Sequence, residues 1–300
     1  MDLQQVRQES LDLRRQSLYR RAILIAVVGN VILTLGKVTV AWLSGSSAVF
    51  SEAANSLSDA LYSLLMAGGL YLAQRPADEG HPQGHSRFEP LICLFIAGML
   101  ALAGFTALRE GVLRFLSGAN RIEPGWPTVV LVGGAAAKIV MYVLVERIGR
   151  LAHSPAIRAS ARDNLADVLT CAAALLGVWG SRFVHPLLDP AAGILVSLWI
   201  FRATWEILYE NLGYLTGRGA PPEIVAQIAT TASSVPGVLG VHQVIADYVG
   251  PRLRVDMHID VDGAIKLRQA HTIADRTRAK VEALPEVEMA FIHLEPASGR

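Results

Sequence analysis

Apolar residues run in six long blocks along the first two thirds of the chain, at roughly 21–44, 47–73, 90–116, 127–149, 157–182 and 187–210. Each block is near the ~20 residues an α-helix needs to cross a hydrocarbon core. The pattern predicts a polar tail at 1–20 and a six-helix transmembrane domain over 21–211. After Tyr209 the composition changes, and the Gly- and Pro-containing segment GRGAPPE at 217–223 closes the membrane part. From there the periodicity predicts a helix over 222–234, strands over 238–249 and 252–262 broken at Gly250-Pro251, a helix over 266–284 and a strand over 287–295. The second helix is expected to place Leu267, Ala270, Ala274, Thr277, Val281 and Leu284 on one face. The order αββαβ makes residues 212–300 a small α+β domain, one helical layer on a three-stranded sheet. A domain of that size is expected to gain stability by dimerising.

Flanking charges set the orientation. Arg14, Arg15, Arg20 and Arg21 precede the first block, Arg75 and Arg87 lie between the second and third, and Arg147, Arg150 and Arg158 surround the link from the fourth to the fifth. Basic ends stay in the cytoplasm. The opposite connections, SGSS at 44–47, the stretch 117–126 around Arg121 and Glu123, and 182–186, are short and less basic. Six crossings then leave both termini cytoplasmic, as in a multi-pass protein of the cell membrane. The first apolar run is span-length and has no small-residue cleavage site after it, so no cleaved signal peptide is expected.

Composition narrows the classes further. With 52% hydrophobic and only 18% charged residues, the chain is too apolar for an ordinary soluble protein. A formal net charge of +1, without a basic cluster interleaved with aromatics, excludes a design for nucleic acid. Cys93 and Cys171, the only cysteines, both fall in predicted spans, so neither a disulfide framework nor a zinc ribbon is available.

Chemistry enters through the polar residues inside the spans. Asn55 and Asp59 in the second block, and Asp163 and Asp167 in the fifth, are each spaced i, i+4 and share a helix face. Ionisable oxygens in a membrane are costly unless they pair, line water or hold an ion. At ~1.5 Å per residue, Asp59 lies about 18 Å from the outer end of its helix and Asp167 about 15 Å from the inner end of its own, so antiparallel spans bring both near mid-membrane. One amide carbonyl and three carboxylates around one position would form an all-oxygen cation cage. Oxygen-only ligation suits Mn2+ better than Zn2+, which usually recruits imidazole or thiolate. Fe2+ stands close behind, and Ca2+ and Mg2+ stay open on ligand type alone. Carboxylates crowded in this way take up protons when the metal leaves, which makes proton exchange a natural driving step. The bland alternative is that these residues only hydrogen-bond between helices. Asn30 is expected to do so. Lys37 is expected to snorkel at the outer end of the first span, and Lys138 to neutralise Glu52 or another acid, neither lysine counting as a site residue.

The ordered motifs SEAANSLSD, GHPQGHSRFEP, SPAIRASARDNLADVLT, APPE, VPGVLGVH, QAHTIAD and FIHLEP run nearly end to end. In them the chain resembles the cation diffusion facilitator family of divalent-metal efflux transporters. The resemblance implies a homodimeric metal/proton antiporter, not an enzyme, with six spans and a cytoplasmic ferredoxin-like domain. It implies a transport site at Asn55, Asp59, Asp163 and Asp167. Zinc-transporting members typically place a His in this set, often where Asp163 stands, and its absence here resembles the manganese-type branch, with Fe2+, Zn2+ and Cd2+ as further candidate substrates. The resemblance also singles out Asp78, His81 and His85 in the loop, whose spacing can surround one ion, and His242, His258, His271, His293 and Glu295 in the C-terminal domain. Metal bridging two C-terminal domains would favour one arrangement of the subunits and so bias the transport cycle. Two rival readings are a membrane-bound metal sensor or scaffold that moves nothing, and an intramembrane aspartyl hydrolase using two carboxylates to activate water.

Overall fold

The structure, a computed structural model, describes residues 13–44, 47–117, 126–183 and 187–297. It divides into two compact units, Met1–Asn211 and Leu212–Arg300. The connections around residues 45–46, 118–125 and 184–186, most of the N-terminal tail, and the side chains of Arg14, Arg15 and Glu52 lie outside the described residues.

Six long helices make up the first unit: α1 (Leu13–Ser44), α2 (Ser47–Ala73), α3 (Phe88–Ser117), α4 (Trp126–Ala152), α5 (Pro155–Phe183) and α6 (Leu188–Leu215). Segments of α1, α3, α4 and α6 are long and apolar enough to cross a membrane. α2 and α5 match them in length, but Ser, Asn, Asp and Arg interrupt their apolar sequence. Polarity is arranged inside out. Leu35, Trp42, Leu65 and Leu116 are exposed, whereas Asn30, Thr34, Ser56, Ser63, Lys138 and Asn164 are buried. With lipid as the solvent, apolar side chains lose nothing by facing outward, and polar groups gain by meeting one another inside.

Small residues set the helix spacing. α1 packs along α2 and α4, and α4 along α5. A Cβ on Gly29 would lie 2.7 Å from Met141 Sδ, and one on Gly69 would lie 2.1 Å from Ile92 Cδ1, so these glycines admit large neighbours from α4 and α3. The turn between α4 and α5 is equally close. His153 takes a left-handed φ of 48° after the last turn of α4, and Ser154 N–H returns to Gly149 O at 3.1 Å. Ser154 Oγ then accepts from Ile157 N–H at 3.2 Å, capping α5. Glu89, buried in the first turn of α3, accepts from Tyr19 Oη at 2.7 Å, from Ala156 N–H at 3.4 Å and from Ser154 Oγ. One carboxylate therefore ties α1, α3 and the start of α5 together.

The second unit contains α7 (Pro222–Ser233), β1 (Gly240–Val249), β2 (Arg252–Val261), α8 (Leu267–Glu282) and β3 (Val287–Pro296). The order αββαβ is as expected. The sheet order is β1-β2-β3, with β2 antiparallel to β1 and parallel to β3. Leu253, Val255, Met257 and Ile259 alternate along β2 into a core shared with Ile228, Val281 and Ala290. The helices thus cover one face of the sheet, and the even-numbered residues of β2 point to the other. One expectation needs correction. Leu267 is not on the buried face of α8 but 84% exposed, because it starts the helix before the sheet reaches it, and Ile273 packs against the core instead. Within the segment 217–223, Ala220 N–H donates to Ala246 O at 2.8 Å.

Candidate metal centres

Within the membrane unit, Asn55 and Asp59 on α2 and Asp167 on α5 line one cavity of about 60 Å³, together with Lys37 on α1, Lys138 on α4 and Cys171 on α5. The backbone around Asp59 is held by the α1–α2 seam. Asn30 donates to Ser63 Oγ at 2.6 Å, the interhelical bond expected of it, and Ser63 Oγ donates to the carbonyl of Asp59 at 2.9 Å. Thr34 Oγ1 lies 2.7 Å from both Asn30 O and Ser56 O. Asp163 is half-buried one turn before Asp167 and does not line the cavity.

The cavity is organised around an ammonium. Lys138 Nζ donates to Asp59 Oδ2 at 2.9 Å and makes an ionic contact of 2.6 Å with Asp167 Oδ2. The lysine side chain is only 5% exposed, so water screens these contacts little. In this conformation Asp59, Asp163 and Asp167 do not gather on a single point. Among the described residues, the places where three ligand atoms of His, Cys, Asp or Glu lie within 4.8 Å of one another are both outside the membrane helices. Like charges at mid-membrane repel, and the lysine spaces two of them. Lys37 also departs from expectation. Its side chain folds against Gly134, with Cε 3.3 Å from where a Cβ would stand, and lines the same cavity.

The sequence reading leaves Lys138 outside the site, whereas the structure places it in the cavity, and one signal in the sequence points there. Lys138 stands twelve residues into α4, and Asp59 stands twelve residues into α2. At ~1.5 Å per residue the two lie equally deep. With Gly134 and Tyr142 one turn away on either side, a lysine at that depth has to find its acid on another helix.

In the loop before α3, Asp78, His81 and His85 come together. Asp78 Oδ1 accepts from His81 N–H at 2.7 Å, and this bond chiefly holds the Asp78 carboxyl below its ordinary range. His85 is 4% exposed, and its Nδ1 lies 3.1 Å from Pro76 O. With that nitrogen donating to the carbonyl, Nε2 turns its lone pair toward Asp78 Oδ2 at 3.4 Å. Two lone pairs facing each other call for a cation, a proton or a metal, and a histidine oriented through its far nitrogen is the usual form of a metal ligand.

A third group lies on the uncovered face of the C-terminal sheet. Registers place His258 beside His293, and Asp260 beside Glu295. The β1–β2 ladder slips by one residue between Val241 and Gln243, so His242 is the extra residue of a bulge. The bulge re-aims its side chain, and His242 reaches Asp260 Oδ1 at 3.2 Å and Glu295 Oε2 at 3.5 Å. His258 donates to Glu295 Oε1 at 2.8 Å, which more than any other contact lowers the Glu295 carboxyl from its usual range. His293 Nε2 stands 3.9 Å from the same oxygen. Gly240 makes room: a Cβ there would lie 2.6 Å from Asp260 Oδ2. His271 does not join the group. It sits exposed on α8 beside Asp275, 3.3 Å away.

Comparison with known proteins shows the family of the chain. The cation efflux transmembrane domain family matches residues 23–216, and the family described as the cation efflux protein cytoplasmic domain matches residues 220–297. The chain is 33% identical over 279 residues to an uncharacterized transporter of Methanocaldococcus jannaschii, covering 92% of this chain and 97% of that one. It is 30% identical over 297 residues to metal tolerance protein 2 of Oryza sativa subsp. japonica, covering 90% of this chain and 76% of that one. It is also 23% identical over 273 residues to the manganese efflux system protein MneS of Bacillus subtilis strain 168, covering 91% and 94%. The hydrolase alternative fails on the same ground and on geometry, because Asp59 and Asp167 meet through an ammonium rather than as a proton-sharing dyad. With both halves matched in order, the chain belongs to the cation efflux, or cation diffusion facilitator, family of metal efflux transporters, multi-pass membrane proteins and not enzymes.

Proposed function

We propose that the protein exports Mn2+ from the cytoplasm across the cell membrane in exchange for protons, as a homodimer with six spans per subunit and both termini cytoplasmic. The observation that carries this reading is the cavity where Asn55, Asp59 and Asp167 meet with a cation already held between the two carboxylates. Asn55, Asp59, Asp163 and Asp167 form the transport site, with Asp163 joining the others as the ion enters. All four offer oxygen, which favours Mn2+, keeps Fe2+ near it and disfavours Zn2+ and Cd2+. The manganese named for the Bacillus subtilis relative supports the same choice.

The soluble groups act as cytosolic metal sites. Asp78, His81 and His85 hold an ion in the loop, and His242, His258, His293 and Glu295 hold one on the sheet, with His271 outside that set. Ile245 and Phe291 are half exposed in the row next to the histidines. An uncovered sheet face that mixes apolar residues with metal ligands suits a subunit contact.

The test is flux. Full-length protein reconstituted in vesicles is expected to move Mn2+ faster when an opposing pH gradient is imposed, and to be inhibited by Fe2+ more strongly than by Zn2+ or Cd2+. Asp163→His is expected to shift the order toward Zn2+. Binding without flux would replace this reading with the sensor, and flux indifferent to the pH gradient would remove the proton from it.

A further inference from the structure

The ammonium of Lys138 sits between two of the carboxylates proposed above as transport ligands. It touches Asp59 and Asp167, carboxylates of two different helices, at 2.9 and 2.6 Å, and it is 5% exposed. A divalent ion the size of Zn2+ takes carboxylate oxygen at about 2.0–2.2 Å. An oxygen that binds an ion so closely cannot keep an ammonium on the same side, and two cations cannot share so small a cavity at low dielectric. We propose that the transport site has two alternating occupants, the metal substrate and the chain's own Lys138 ammonium, so that metal entry displaces the lysine and the returning lysine displaces the metal. This deepens the transport reading and rests on it.

The surroundings suit such an exchange. Lys138 rides on α4, whereas the four oxygen ligands ride on α2 and α5, so the lysine can withdraw without dragging a ligand with it. Its four-carbon stem is flexible and its charge is a point, unlike the planar fork of arginine. Beside it, Gly134 leaves a notch in α4 one turn away, filled by the stem of Lys37. Without a tethered cation, departure of the metal would leave two half-buried carboxylates facing each other, and release would be slow. The lysine therefore lowers affinity and quickens turnover together.

The exchange predicts opposite signs for two substitutions. In Mn2+ flux of the reconstituted full-length chain, Lys138→Gln is expected to lower KM about tenfold, equivalent to about 1.4 kcal/mol, and to lower the maximal rate severalfold. Lys138→Arg keeps the charge, and with it the pairing on which folding depends. Its fork grips both carboxylates, so KM is expected to rise threefold or more. A residue that only braces the helices would weaken Mn2+ handling in both variants alike. KM unchanged in Lys138→Arg, or raised in Lys138→Gln, would overturn the proposal. If Lys138→Gln does not fold, the Lys138→Arg result decides alone. If the wild-type protein moves no Mn2+, the transport reading has failed. The exchange is then decided by equilibrium Mn2+ binding to the same proteins, which has to follow the order Gln tighter than wild type, tighter than Arg.

Discussion

Asp59→Asn and Asp167→Asn are each expected to cut metal flux at least about 100-fold while leaving the membrane unit folded, since a lost charged ligand at a buried site is worth several kcal/mol. The change is isosteric, so packing is untouched. What is lost is one of the anions that a divalent ion needs in order to leave water. Each single variant still leaves Lys138 one carboxylate partner, because the ammonium is shared between two helices. The double variant does not. Asp59→Asn with Asp167→Asn strands a buried ammonium, and breaking a buried pair in that way costs about 3–5 kcal/mol. Adding Lys138→Met to the double variant is expected to restore the melting temperature without restoring flux. Flux persisting near wild type in either single variant would remove the membrane cavity from transport altogether.

The second large effect lies away from the ion. Glu89→Ala is expected to destabilise the membrane unit by about 3–5 kcal/mol, seen as a lower unfolding midpoint in detergent. Its carboxylate is 2% exposed and accepts from Tyr19, Ser154 and the backbone of Ala156, so truncation removes three buried hydrogen bonds at once. It also stands in the first turn of α3 and beside the first turn of α5, where the positive ends of both helix dipoles favour a negative charge. Glu89→Gln keeps an acceptor oxygen and loses the charge. A loss of about 1–2 kcal/mol is expected, part from the dipoles and part from the weaker hydrogen bonds. Equal losses in the two variants would show that charge alone matters there, and no loss in either would mean that the α1, α3 and α5 seams hold without it.

The two substitutions probe different kinds of information. The membrane helices and the αββαβ order were legible because apolar blocks and period-two alternation are local properties that repeat over many residues. That Asn55, Asp59 and Asp167 stand out in the sequence has a related reason: polar and acidic residues in an apolar helix are rare enough to mark themselves, and the three line one cavity. Glu89 gave no such mark, since a carboxylate at the start of a helix is ordinary, and only its burial against Tyr19 and Ser154 sets it apart. His242 was visible as a residue, but its place in a bulge was not. A one-residue slip in a strand ladder depends on the partner strand, which periodicity cannot see. For the same reason His271, in a motif as suggestive as the others, stays apart on α8.

By itself the sequence determined which segments are long and apolar, how the soluble elements follow one another, and which oxygen- and nitrogen-bearing side chains lie in reach of one another along a single helix or strand. Those are consequences of pitch and hydropathy, and they need no partner. The tertiary structure alone decided which helices face each other, and therefore that the cation between Asp59 and Asp167 is Lys138. Ion pairing acts through space between groups 29 and 79 positions distant in the chain, and equal depth along two helices does not by itself record which of several acids a buried lysine will face.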